Sequence, residues 1–511
     1  MKNKNYMHKI STPKQKIAIK IALLLTLIIS VHSFAQENTM YYIDGIPDVT
    51  YLNPAKQPLC NIYIGAPGIS SSNSFYNSAF TFEDIIYNSP SSDAVITPLH
   101  PEGDFDKFIN LFKKSNIISL DSKFNLASIG FRTNRMYFSI NVAYNQNLRF
   151  SYPDDFMKLL LTGNENGATY DLTSFGIDGK SYMEYSVGVS RKIMDNLTVG
   201  IRPKLYTGFF AMQSDFTNVS LSTSYDEWNL NANGNINVAI PLIDFPLNED
   251  GEFDISDNTL SDDISDEVEN LADGSTSITS ALFANKGLGV DLGVVYNPLQ
   301  EMELSASIVD LGYIKWKKHT HAFGIDGQFS QGPFDYEDIT ENDSLFEGIM
   351  DTIKTQLQIQ QSSPVFKTSM EPSLFLGGRY FVSETFNVGL LSHTKFYEDH
   401  VREDMTLSTN FRPSRAFNIS LSYSLLDGKY LNFGYGFSVR IAMFHLFFVV
   451  DDISLNRYEI AIEDAPFNPS ISRDSKSINY RGGLTLVFGC NKNKKLQKDK
   501  PLLYSEDAFI Y

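Results

Sequence analysis

Histidine is the first residue to ask for chemistry, and this chain is short of it. Beyond the first 35 residues only His100, His319, His321, His393, His400 and His445 are found. Nucleophilic catalysis needs a base within reach of the nucleophile, and the chain has neither a Gly-x-Ser-x-Gly elbow nor a His-Glu-x-x-His helix. His393, in Leu391-Ser392-His393-Thr394, is the best single catalytic candidate. A lone strand histidine, however, is ordinarily a hydrogen-bonded wall residue. His319-Thr320-His321 sets two imidazoles on one strand face at a spacing that can chelate a metal. No third ligand lies near it, and Lys315, Lys317 and Lys318 would repel a cation. The expectation is a protein that is not an enzyme and holds no metal and no cofactor.

The elements that must position these residues are strands. Met183, Tyr185, Val187 and Val189 alternate with small or polar neighbours, as do Ile419, Leu421, Tyr423 and Leu425, and Leu431, Phe433, Tyr435, Phe437 and Val439. Period-two patterning of this kind marks half-buried strands. Sixteen candidates begin near Asn61, Ser122, Met136, Tyr182, Leu197, Phe216, Trp228, Gly287, Met302, Ser373, Phe386, Met405, Ile419, Leu431, Met443 and Ile478. Their usual length of about 10 residues is what a tilted strand needs to cross a bilayer, whereas soluble sandwiches more often use about 5–6. The second face is mostly Gly, Ser, Asn and Ala rather than the Lys, Glu and Thr of a water-exposed face, which suits a crowded, curved lumen.

The chain's start agrees. Six lysines precede an apolar stretch from Ile21 to Val31, and Ser33-Phe34-Ala35 before Gln36 has the form of a secretory signal with cleavage between Ala35 and Gln36. After Gln36 nothing approaches the roughly 18 apolar residues of a spanning helix. An exported chain of this kind is a closed outer-membrane barrel or a secreted all-β protein, since only helices and closed barrels satisfy every backbone group in lipid. Loss of residues 1–35 takes the formal net charge from −18 to −24, a surface that repels nucleic acid. High aromatic content, with 38 Phe and 27 Tyr, beside a slightly negative mean hydropathy fits an aromatic outer band offset by a polar lumen.

Within such a barrel Asp291 stands out. It alternates with Val290 and Leu292 and so faces the lumen beside Gly289 and Gly293, where a charge is tolerable only if wet or paired. Arg202, Arg379 and Arg440, on polar faces of other strands, are its candidate partners in a lumen charge network. That network would hold a plug or, more boldly, relay a substrate. Cys60 and Cys490 read either as two unrelated thiols or, if they flank the first and last strands, as a disulfide stapling the barrel seam near the periplasm.

The expected division is a signal peptide at 1–35, an N-terminal periplasmic lead-in or plug at 36–59, a barrel at 60–489 and a basic periplasmic tail at 490–511. Residues 104–116 and Asp155 to Leu161 read as short amphipathic helices, with a weaker helical insert at 344–361. The insert 244–273 holds twelve acidic residues and no Lys or Arg, which reads as a solvated outer loop.

Asn53-Pro54-Ala55, the Gly-rich run from Lys286 to Pro298, and Leu304 to Gly312 together resemble the long-chain fatty-acid transporter (FadL-like) outer-membrane barrels of Gram-negative bacteria. Within them the chain is most similar to a family of unknown function with an Asp-Leu-Gly-x-Ile-x-Trp element, here Asp310 to Trp316. The resemblance implies about fourteen strands, an N-terminal plug and sideways passage of hydrophobic molecules. Other relatives serve as shuttle or anchor parts of protein secretion. The expectation is thus an all-β transmembrane barrel of about 14 strands in the outer membrane, in contact with its lipid. It is either a porin-like passive channel for hydrophobic or amphipathic small molecules, or a non-transporting structural or secretion-associated partner. An apolar pocket between plug and wall, with a kinked strand, would mark the first; a tightly filled lumen would mark the second.

Overall fold

Alternating sequence becomes a closed wall when each strand pairs with the next and the last pairs with the first. The computed structural model describes residues 38–91, 95–163, 165–240, 285–331, 360–362, 364–397, 401–426, 429–453, 457–459, 470–473 and 476–490. Fourteen antiparallel strands form the barrel. β1 is in two pieces, Ile62–Gly65 and Ser71–Asn77, followed by β2 (Asn116–Thr133), β3 (Met136–Tyr152), β4 (Gly176–Met194) and β5 (Leu197–Thr223). Next come β6 (Asn285–Leu299), β7 (Met302–Trp316) and β8, again in two pieces, Phe366–Ser369 and Ser373–Phe381. The circuit is completed by β9 (Phe386–Phe396), β10 (Val401–Ser414), β11 (Phe417–Leu426), β12 (Lys429–Ile441), β13 (Phe444–Ile453) and β14 (Ser477–Phe488). Both pieces of β1 pair with β14, which closes the sheet on itself and leaves no free edge.

Of the sixteen sequence candidates, two are not separate wall strands. The segment near Phe216 is the upper part of β5, which runs unbroken from Leu197 to Thr223. Trp228–Ala239 pairs with that upper part and then with Thr320–Gln331, so a small sheet continues β5 above the rim. His321 belongs to this extension, and His319 sits at its start with a positive φ of 51°.

One end of the barrel has only tight connections, such as residues 134–135, 195–196, 300–301 and 442–443, while the long connections all leave the other end. Short periplasmic turns and long outer loops are the usual arrangement of such barrels. Near the outer rim, α1 (Phe82–Ile85), α2 (Phe105–Ile109) and α3 (Asp154–Thr162) are the short loop helices. Those at 105–109 and 154–162 pack Phe108, Phe112 and Phe156 over the tops of β2 to β4. Ile140, Val187, Ile201, Leu292, Leu376, Leu390, Leu421 and Leu446 point outward and are well exposed, as a lipid-facing band requires. Their alternating neighbours, among them Ser420, Ser422, Ser424, Asn432 and Ser438, are buried on the inner face. Among the described residues no helix is long and apolar enough to cross a membrane. The signal peptide with its Ala35/Gln36 site, the acidic insert 244–273, all but the last two residues of the insert 344–361, and the tail after Cys490 lie outside the described residues. Gln360–Ser362, at the end of that insert, is a short strand.

Cys60 and Cys490 are joined by a disulfide two residues beyond the β1/β14 pairing of Ile62 with Phe488. The bridge therefore spans the seam where the sheet closes. Replacing both cysteines by serine should leave a barrel that still assembles, because the seam keeps its backbone ladder. It should be less stable by about 2–4 kcal/mol, seen as a lower temperature for the shift from compact to extended form on gel electrophoresis.

Candidate functional site

Residues 38–59 do not lie outside the barrel but inside it. Met40, Tyr41, Ile46 and Asn53 are completely buried in the lumen, and two short 3-10 turns, Thr39–Tyr42 and Pro47–Tyr51, are the only regular structure there. Proline at 47 and 54 keeps this stretch from joining the sheet as a strand. It packs instead through side chains. Asn53 accepts a hydrogen bond from the Ala55 amide (2.9 Å) and donates to the Tyr41 hydroxyl (3.1 Å) and the Ala306 carbonyl (3.3 Å), so the Asn-Pro-Ala turn is fastened to β7. Tyr41 donates to Ser305 (3.1 Å), Tyr42 to the Leu390 carbonyl (3.0 Å), and Ser307 to the Leu52 carbonyl (2.6 Å). Gly200 and Gly389 on the wall are among the glycines that admit the segment at close range. A methyl at Gly200 would overlap the Pro54 carbonyl, and one at Gly389 the Tyr42 ring.

Charge fixes the segment as well. Arg379 reaches Asp44 (2.9 Å) and Glu303 (2.8 Å), and Lys56 lies 3.6 Å from Glu303. Burial pulls the Lys56 ammonium down to about 8, with the Glu303 carboxylate opposing that shift. Arg481 pairs with Asp48 at 3.1 Å, both almost fully buried. The Tyr51 ring lies against three cations at once, with Lys123, Arg202 and Arg481 about 5 Å from its centroid.

A second charge cluster sits in the wall. Arg202 on β5 and Asp291 on β6 are register partners, 3.6 Å apart. Lys204, two residues along the same face, makes the shorter contacts: 2.8 Å to Asp291, 2.6 Å to Asp310 and 3.8 Å to Glu184. Lys123 closes the group on Glu184 at 3.0 Å. The structure does not bring Arg379 or Arg440 to Asp291. Arg379 is register partner to Glu303 near the turn end of β8, and Arg440 lies near the turn end of β12, 3.9 Å from the Cys60 sulfur. The sequence reading passed over Lys204 and Glu184 although each sits on the polar face of a recognised strand, a spacing of two from Arg202 and one from Met183.

The Asp-Leu-Gly-x-Ile-x-Trp element explains why charges gather here. Val290 pairs with Leu311 and Leu292 with Ile308, so Val309 and Asp310 stand opposite Asp291 alone, a bulge with Asp310 at φ 60°. The Asp310 amide donates to Asp291 at 2.8 Å. On the other side of β7, the ladder with β8 is interrupted between Ser369 and Ser373. Ile314 and Trp316 anchor the element, the indole donating to Thr368 at 3.0 Å.

The interruption turns Glu371 into the lumen, 3.0 Å from Lys395 and 3.8 Å from Lys180. There the lumen holds two cavities of about 190 Å³ each, which share Asp121, Asn147, Lys180, Glu371 and Tyr397 and so form one stepped chamber. Its floor is Tyr51 and Leu52 of the inserted segment; its upper part reaches Met212, Gln213 and Phe396 near the rim. Apolar side chains of Phe375, Val309 and Tyr397 alternate with charged and polar ones along its wall. His393 lines the same chamber, stacked on Phe375 with ring centroids 4.3 Å apart and 3.9 Å from Asp404. His319 and His321 belong to the sheet above the rim, and no cluster of three metal-ligating side chains is present among the described residues.

In solved structures the chain is similar to the Pseudomonas putida toluene transporter TodX (10% identity, 87% of this chain and 93% of that one, TM-score 0.34). It is similar to the Ralstonia pickettii toluene transporter TbuX (9% identity, 87% and 95%, TM-score 0.39) and to a Pseudomonas aeruginosa FadL homologue (8% identity, 88% and 95%, TM-score 0.38). Likeness at that level assigns no substrate. No curated protein matches the chain in sequence. The model of one family, described as a family of unknown function (DUF5723), matches residues 54–451, from the Asn-Pro-Ala turn in the lumen to Asp451 on β13. Matched over well more than half its length, this fourteen-stranded barrel belongs to the family of unknown function DUF5723.

Proposed function

We propose that the chain is an outer-membrane channel for small amphipathic molecules, closed at rest by its own N-terminal segment. The observation that carries the reading is the chamber above that segment, extending toward Met212 and Phe396 near the outer rim and placed at the interruption of β8, where a molecule would meet both charged groups and apolar patches. An entirely apolar pocket, which a purely hydrophobic cargo calls for, is not what lines it. A segment held mainly by side-chain contacts, and not by a sheet ladder, suits a part that must shift for cargo to pass. The tight fit of the same segment against Gly200 and Gly389 favours a second reading, a permanently filled barrel that serves as a partner for other proteins.

One experiment separates them. The Thr39 hydroxyl on the inserted segment touches that of Ser422 on β11, so Thr39→Cys with Ser422→Cys brings two thiols within reach of each other. In proteoliposomes, uptake of small amphipathic solutes should be abolished when the pair is oxidised and restored by mild reductant. The native protein should be unaffected by either treatment. Absence of flux in the unlocked native protein would overturn the channel reading in favour of the filled barrel.

A further inference from the structure

We infer that the chamber binds small zwitterions, molecules carrying an ammonium and a carboxylate, in preference to hydrocarbons or fatty acids. The inference rests on the channel reading and names the class of its cargo. Asp121, Asp178, Asp310 and Glu371 face Lys123, Lys180, Lys395 and Arg149 across the two connected cavities, so the lining carries equal numbers of both signs. Neighbouring pairs are close: Lys395 to Asp121 is 2.7 Å and Arg149 to Asp178 is 2.7 Å. A ligand of one sign would draw on half of these groups and leave the other half repelling it. A hydrocarbon would displace water from all of them and return no hydrogen bond, which is costly for buried charges. A zwitterion can exchange with the existing pairs, its ammonium toward the carboxylates and its carboxylate toward the lysines, with little change in net charge.

A second observation points to a missing polar partner. The Asn145 side-chain nitrogen and the His393 Nε2 both belong to residues more than nine-tenths buried, both residues line the lower cavity, and neither atom has a hydrogen-bond partner in the protein. Buried polar atoms are ordinarily satisfied, so a bound molecule with acceptor oxygens gives the Asn145 amide a role. Two connected cavities of about 190 Å³ each have room for a ligand the size of an amino acid or dipeptide. The Met212 and Phe396 side of the upper cavity can take an apolar side chain.

The test is calorimetric titration of the purified full-length protein in detergent with glycyl-leucine, N-acetyl-leucine amide, laurate and toluene. Saturable binding of glycyl-leucine is expected, with the uncharged amide at least tenfold weaker and neither laurate nor toluene displacing the dipeptide. Lys180→Met and, separately, Asn145→Ala should each weaken dipeptide binding about tenfold while the barrel keeps its heat-modifiable gel shift. Displacement of the dipeptide by laurate or toluene, equal binding of the uncharged amide, or no binding of the dipeptide would each overturn the inference. Proteoliposome flux distinguishes the two levels. Flux of laurate or toluene without dipeptide binding removes the zwitterion inference and keeps the channel. Dipeptide binding without flux of any solute removes the channel and keeps the site.

Discussion

Replacing Arg481 by methionine is expected to release the N-terminal segment from the lumen. Arg481 is the guanidinium 3.1 Å from Asp48, and both side chains are at most 2% exposed. Removing one partner of such a pair leaves a buried, uncompensated charge and typically costs about 3–5 kcal/mol. The methionine also loses the cation contact to the Tyr51 ring. At roughly 1.4 kcal/mol per tenfold change, the population with the segment out of place should rise by roughly 10²- to 4 × 10³-fold. Two measurements report it. Trypsin, excluded from Lys56 in the native protein by burial, should cut there in the variant, and conductance in planar bilayers should show long open events. Asp48→Asn combined with Arg481→Met should recover much of the protection, because a neutral pair costs far less to bury than a single charge. If the single variant resists trypsin as the native protein does, the ion pair is not what retains the segment.

The second large effect belongs to the wall. Lys204 neutralises Asp291 and Asp310 at 2.8 and 2.6 Å, with Glu184 at 3.8 Å, at the point where β7 bulges and β8 is interrupted. Lys204→Met removes the cation in shortest contact with Asp291 and Asp310 and leaves the three carboxylates to Arg202, Lys123 and Lys395. The expected loss is again about 3–5 kcal/mol, but it falls on the barrel, not on the inserted segment. It should therefore appear as a sharply lower temperature for the compact-to-extended gel shift. Asp310→Asn in the same chain should restore part of that loss. Neighbouring charges of this kind couple, so the double variant is informative only against both single variants. An unchanged transition in Lys204→Met would mean that water, not Lys204, satisfies the carboxylates.

These two sites differ in how much of them the sequence contained. Period-two alternation marked the wall strands because a lipid-facing side and a lumen side impose opposite chemistry on neighbouring residues, and that constraint is local. For the same reason the sequence placed Asp291 inside, beside a small-residue face; helical spacing of apolar residues marked short helices over 104–116 and 155–161, which form at 105–109 and 154–162. It also put Asn53-Pro54-Ala55 outside the sheet, since proline cannot serve a central strand.

Partners across the barrel were another matter. Arg202, Arg379 and Arg440 were equivalent in sequence, each an arginine on a polar face. Register alone put Arg202 opposite Asp291, Arg379 opposite Glu303 and Arg440 near the turn end beside Cys60. Lys204 became the centre of the wall cluster only because the bulge at Val309 and Asp310 turned a third carboxylate toward it. The chamber needed still more: an interruption in β8, a floor from residues 51–52 and walls from strands far apart in the chain. Alternation along one strand is fixed by that strand's own solvent environment, so the sequence by itself determined a membrane-spanning barrel with a polar interior. Which charges meet, and what the lumen encloses, depends on the stagger between strands and on the path of the inserted segment, and both are set only when the barrel closes.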